Sequence, residues 1–294
     1  MELLAQRLVD GLGSGCIYAA LALAIVLVFR TSGVVNFAQG EMAMLSSYLV
    51  WFLVSWSLGI WVALVISAVA AFILGGVLER GLIKRLNLDD HLGTVIVMTG
   101  LYTLINSLAL LFFGSDGRPL PSLFPDGTLG LGSVRMPYAT MGALAGLLVV
   151  STALFVLFRF TKVGLGLRAV AQNRASSALA GLPVGRLLAT GWGLAAALGA
   201  VSGVLVTSLG LYLEPSLMLS VLVYAMAAAT LGGFDSAVGA VVAGVLLGVV
   251  ESVAVGYITF LGTEMKLGVA FVVMLLAMVV RPNGLFGTAR VARA

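Results

Sequence analysis

The sequence predicts an all-α integral membrane protein: a polytopic helical bundle of about eight to ten transmembrane segments, with a broken or re-entrant element near residues 30–45. Three observations carry that expectation. The 294 residues are 61% hydrophobic and only 10% charged, with a mean hydropathy of +1.15. A soluble domain usually carries about 25% charged residues to cover its surface. Apolar runs recur at lengths near the ~20 residues that a helix needs to cross a bilayer, and the basic residues collect in short intervals between those runs.

Taken in order, the apolar segments run roughly 8–29, 41–57, 59–78, 92–113, 137–158, 188–211, 217–233, 237–258 and 267–280. All are read as helices of a single transmembrane domain, 1–294. The second, seventh and ninth are short for a full crossing, which suits broken helices, re-entrant segments or tilt. Intervals 79–91, 159–186 and 281–294 hold eleven of the sixteen Lys and Arg residues, against three (Arg118, Arg135 and Lys266) in 114–136 and 259–266. Positive charge resists translocation, so the first set and the C-terminus are placed in the cytosol. Alternation of the helices then puts the N-terminus outside if both early segments cross. The outer loop, about 114–136, is dense in turn formers; it is either a docking surface for an extracytoplasmic partner or an idle lid. The cytosolic loop, about 159–187, gathers Arg159, Lys162, Arg168, Arg174 and Arg186. It is either a plain connection with topogenic charge or a short helical element through which a cytosolic engine acts.

Several function classes are excluded by what the chain lacks. Its net charge of +4 reflects loop charge, and no basic surface interleaved with aromatics points to nucleic acid. The lone Cys16 cannot form an intramolecular disulfide. No cleavable signal peptide is expected, because the first apolar run lacks a clear cleavage site. Ser14 has no base within reach by sequence, since the single histidine, His91, falls in a charged loop. No His, Cys, Asp and Glu set has metal-ligand spacing, so no catalytic or metal residue is expected. No Gly-x-x-x-x-Gly-Lys-Ser/Thr loop occurs either, so ATP would have to be hydrolysed by another subunit.

Polar residues within the oil are the candidate site. Asn36, Gln39 and Glu41 cluster around Gly40 between the first two apolar runs. One reading is a helix break lining a solute path; the other is a helix N-terminus with a capping amide and an acidic first turn. Glu251 follows Gly244 and Gly248 on one helical face, so it points toward packed protein, where it either lines a path or pins two helices. Gly142/Gly146, Gly199/Gly203 and Gly244/Gly248 are Gly-x-x-x-Gly pairs that allow close helix approach. No internal repeat is apparent in the residues.

Five blocks in order resemble the LivH-type permeases, the membrane subunits of branched-chain amino-acid ABC importers. They are Gly-Ser-Gly-Cys-Ile-Tyr-Ala-Ala-Leu-Ala-Leu-Ala (13–24), Val-Asn-Phe-Ala-Gln-Gly-Glu-Met (35–42), Gly-Leu-Gly-Leu-Arg-Ala-Val-Ala-Gln-Asn (164–173) with Ala178 and Gly181, Ala-Ala-Ala-Thr-Leu-Gly-Gly-Phe-Asp-Ser-Ala-Val-Gly-Ala (227–240), and Arg-Pro-Asn-Gly-Leu-Phe-Gly (281–287). The resemblance implies a multi-pass protein of the bacterial inner membrane and four kinds of partner. These are a second related permease subunit, two cytosolic ATP-binding subunits, an extracytoplasmic solute-binding protein and the lipid bilayer itself. It implies no cofactor on this chain, with ATP held by the partner subunits. Arg168, Asn173, Ala178 and Gly181 match the loop through which such permeases couple to an ATPase. Gln39 stands where the family more often has histidine, which removes a titratable group. Related permeases take urea, short amides or aromatic acids, so the resemblance ranks branched-chain or other neutral amino acids first without settling the solute. A self-sufficient ion-coupled transporter or channel is the rival class.

Overall fold

The computed structural model describes residues 2–86, 90–258, 265–281 and 283–287. Arg290 and Arg293 of the basic C-terminal interval, and residues 259–264 of the outer one, lie outside the described residues. The nine apolar segments all form helices, and two shorter helices occupy the basic loop. In chain order they are α1 (Glu2–Ser32), α2 (Gln39–Ser55), α3 (Ile60–Gly81), α4 (His91–Phe113), α5 (Tyr138–Phe160), α6 (Lys162–Gln172), α7 (Arg174–Leu179), α8 (Val184–Ser208), α9 (Leu217–Gly232), α10 (Ala237–Tyr257) and α11 (Lys266–Val280). Of these, α1, α3, α4, α5, α8 and α10 are long and apolar enough to cross a membrane, while α9 and α11 are shorter apolar helices. The protein is therefore an all-α, multi-pass membrane protein.

Capping residues fix several helix starts. The Asp90 carboxylate accepts from the Gly93 backbone N–H at 2.9 Å and opens α4, and the Ser236 hydroxyl accepts from Gly239 N–H at 3.0 Å to open α10. His91, expected in a loop, is consequently the first residue of α4.

Helix α1 is the axis of the bundle. It is apolar on every face, and 83% of its most apolar stretch is buried, as expected of a helix surrounded by protein. Its main seam is with α10, where backbones touch. A Cβ added at Gly248 would lie 2.4 Å from the Gly15 Cα, and one at Gly244 2.5 Å from the Ala19 Cα. A second seam joins α3 to α8, where a Cβ on Gly75 would lie 2.6 Å from the Trp192 carbonyl. The expected Gly142/Gly146 pair is not such a seam, because Gly142 sits under the Phe124 ring and Gly146 faces open space.

These seams expose an internal repeat. Helix α1 packs on α10 as α8 packs on α3; α2 lies on α8 as α9 lies on α1; and the pairs α1–α8 and α2–α9 also meet. The quartets α1–α4 and α8–α11 thus occupy equivalent places. They run in opposite senses. The carbonyl of Ser32, at the end of α1, accepts from Arg174 in the basic loop, whereas Ser208, at the end of α8, accepts from Leu123 N–H in the 114–136 loop. This is an inverted repeat related by an axis in the membrane plane, with each central helix closing on a left-handed glycine, Gly33 (φ 67°) or Gly210 (φ 92°). The absence of a repeat in the residues was misleading, since the repetition lies in helix order and packing.

One end of the bundle is basic, carrying Arg30, Arg80, Lys84, Arg85, α6 and α7. At the other end the 114–136 loop holds an antiparallel hairpin, β1 (Thr128–Leu131) with β2 (Val134–Pro137), a small strand element inside an otherwise helical fold. Gln6, near the start of α1, both donates to and accepts from the Arg135 backbone at this end.

Candidate functional site

Residues 33–38 leave helical geometry, and at the buried Asn36 and Ala38 the backbone groups must find partners without water. Side chains provide them. The Asn36 Oδ1 accepts from Ala38 N–H at 3.0 Å, Asn36 Nδ2 donates to Gln39 Oε1 at 2.9 Å, and Gln39 Nε2 donates to the Ala195 carbonyl at 2.8 Å. Gly199 admits this contact, because a Cβ there would lie 2.8 Å from Gln39 Nε2. Ala195 is the twelfth of the 25 residues of α8, so α2 begins about 16 Å in from the basic end. It starts near the middle of the bundle and runs outward.

Helix α9 begins at the same place and runs the other way. A Cβ at Gly40 would lie 3.1 Å from the Met218 carbonyl, in the first turn of α9. Two helix N-termini, each equivalent to roughly half a positive charge, therefore converge mid-bundle. Glu41 stands between them in the first turn of α2. Its Oε2 accepts from Asn106 Nδ2 at 3.2 Å, and the same amide donates to the Pro215 carbonyl at 3.0 Å. Its Oε1 is buried with no hydrogen-bond partner among the described residues. Asn36, Gln39 and Glu41 are all fully buried within this chain.

Glu251 has a different setting. It lies on α10, 3% exposed, and accepts from the Tyr18 hydroxyl of α1 at 2.9 Å. The Tyr18 ring stacks on Tyr224 of α9, with centroids 4.4 Å apart. The carboxylate thus sits where α1, α9 and α10 meet.

The basic loop forms two helices where one was expected. Thr161 caps α6 and Asn173 caps α7, each through its side-chain oxygen. Gly164 and Gly166 let α6 settle against the end of α5 and the start of α8. Arg174 reaches back to the Ser32 carbonyl. Burial lowers the pKa of its guanidinium from the ordinary value, while the Glu79 carboxylate acts in the opposite direction. Ala178 and Gly181 are exposed, with Gly181 in the left-handed region at φ 78°. Arg168 lines a cavity beside α1.

Sequence reasoning missed three residues of these clusters. Asn106 was legible as a lone amide within the apolar run of α4. Tyr18 gave no signal beyond a hydroxyl in an apolar helix. Leu179, 91% exposed at the tip of α7, is a large apolar side chain in a polar loop and was overlooked.

An inverted repeat with two half-helices meeting mid-bundle around a carboxylate defines a membrane transport protein. The family described as branched-chain amino acid transport system / permease component matches residues 7–278, and the chain belongs to that family. It is 28% identical to the high-affinity branched-chain amino acid transport system permease protein LivH of Salmonella typhimurium, over 98% of this chain and 97% of that protein. It is 29% identical to the corresponding protein BraD of Pseudomonas aeruginosa over the same shares. It is 27% identical to the probable branched-chain amino acid transport permease protein LivH of Methanocaldococcus jannaschii, over 91% of this chain and 87% of that one. No solved structure matches it significantly.

Proposed function

We propose that this permease forms half of the translocation path of an ABC importer for branched-chain or other small neutral amino acids. The membership of residues 7–278 in the permease family carries this reading, and the relatives' stated solutes favour the solute class. The other half of the path comes from a second, related permease. Two ATP-binding subunits hold and hydrolyse ATP, and an extracytoplasmic binding protein delivers the solute. The basic end of the bundle faces the cytosol of a bacterial inner membrane, with the C-terminus on that side. The hairpin end faces the binding protein.

Within this reading α6 and α7 form the coupling element. Leu179, Ala178 and Gly181 are the exposed tip, Asn173 caps α7, Arg168 lines the cavity beside α1, and Arg174 ties the element to the end of α1. Motion at the tip is passed through Arg174 to the end of α1, and so to the break at 33–38. There the two helix N-termini suit the carboxylate of a zwitterionic solute, and the open oxygen of Glu41 suits its ammonium group. Glu41 is buried in the arrangement described, so separation of α2 from α9 has to precede contact with solute.

Reconstitution of the complete complex in liposomes tests the reading, with uptake and ATP hydrolysis measured against leucine, urea and an aromatic acid. Leucine-stimulated hydrolysis with ATP-dependent uptake is expected. Ala178→Glu should leave assembly and basal hydrolysis in place and abolish their link to uptake. Uptake driven by an ion gradient without the ATP-binding subunits would overturn the proposal.

A further inference from the structure

Two adjoining cavities at the basic end share Arg30, Phe158 and Asp235. The first, about 390 Å³, is an oily slot between Leu23 and Leu27 of α1, Leu154 and Phe155 of α5, and Val238 and Val241 of α10. It lies among helices at bilayer depth, beside α5, whose most apolar stretch is only 11% buried. The second, about 630 Å³, is its mouth, lined by Arg30, Arg168, Arg174, Gln172 and Asp235. The volumes are those of ligand sites rather than packing defects.

The lining of the mouth holds three guanidinium groups and one carboxylate, an excess of two positive charges, with the Glu79 carboxylate acting on Arg174 from outside the lining. Arg30 feels the attraction of Asp235 and the repulsion of Arg168. Arg174 donates to the Ser32 carbonyl. The Arg168 Nε is buried and has no hydrogen-bond partner among the described residues. Like charges gathered over a water-poor slot call for an anion, and guanidinium groups bind phosphate through paired hydrogen bonds. A free anion would leave the slot empty, and a zwitterionic lipid brings its own ammonium and balances no excess. Basic pockets between membrane helices take anionic head groups in this way.

We propose that this paired cavity is a binding site for one anionic phospholipid of the cytosolic leaflet. Its phosphate lies on Arg168 and Arg30, and an acyl chain fills the slot between α1, α5 and α10. The lipid then bridges the coupling element to the axis of the bundle.

Native mass spectrometry of the delipidated complex, titrated with phosphatidylglycerol or phosphatidylcholine, tests this. One phosphatidylglycerol per chain should bind in clear preference to phosphatidylcholine, and millimolar inorganic phosphate should not displace it. The double variant Arg30→Gln/Arg168→Gln should weaken phosphatidylglycerol binding roughly thirtyfold, and Val241→Trp, which fills the slot, should also abolish the preference. Equal retention of the two lipids by the unaltered complex overturns the proposal without need of any variant. So does phosphatidylglycerol binding that both variants leave unchanged, or displacement by inorganic phosphate alone. Binding in detergent reads the site whichever membrane face it occupies, so failure here leaves the transport reading standing.

Discussion

Glu41 and Glu251 are two carboxylates equally hidden from solvent, yet the chain treats them differently. Glu251 lies inside a continuous helix, on the face that carries Gly244 and Gly248, and is reached by a hydroxyl from the neighbouring helix. Glu41 lies at the start of a half-helix, opposite the start of another, with one oxygen held by an amide and the other without a hydrogen-bond partner among the described residues. A carboxylate within membrane costs about 3 kcal/mol on insertion scales. At the α1–α10 seam that cost is offset by fixed packing, which suits a helix pin. At the break it is offset by helix dipoles and an incomplete set of donors, which suits a group that exchanges partners. Burial alone does not separate these two carboxylates; the backbone around each does.

The seam should be the least tolerant region. Gly248→Leu drives a side chain into the Gly15 backbone, and overpacking of this kind costs about 1–3 kcal/mol and sometimes more. Loss of monodisperse complex on size exclusion is expected, and a well-assembled variant would show that the seam is loose. Glu41→Leu comes next. The complex should assemble, with Asn106 still donating to Pro215, while uptake falls at least about tenfold, as for loss of a hydrogen bond to a charged group. A smaller effect on transport than that of any Glu251 variant would reverse the assignment of roles.

Glu251→Gln and Tyr18→Phe should be milder. Interhelical hydrogen bonds in membranes average about 0.6 kcal/mol, so each variant should lower the melting temperature slightly and keep uptake within about threefold. Their double variant should be no worse than the single ones, which a double-mutant cycle reads directly. Gly146→Ala should do least, because nothing lies within 4 Å of the added methyl. A stability change within about 0.5 kcal/mol is expected. A large loss would place a partner surface on α5.

What could be read from residues alone followed from local rules. Apolar runs located the nine apolar helices among the described residues, because a chain in lipid has to satisfy its backbone within each segment. Basic intervals located the loop that carries α6 and α7, and the Asn36–Glu41 cluster marked the break, since polar side chains in oil need a reason. The Gly244/Gly248 pair correctly indicated a close helix approach and the inward face of Glu251. Tertiary structure alone decided the rest. That α10 is the partner of α1, that Asn106 joins Glu41, and that α2 and α9 begin at one level all depend on contacts between segments far apart in sequence. The inverted repeat was hidden for the same reason. Lipid-phase packing asks only for small residues at crossing points, and many sequences meet that demand, so two quartets can share an architecture without sharing residues. The pairing of an oily slot with an arginine mouth is likewise a property of three helices and a loop together.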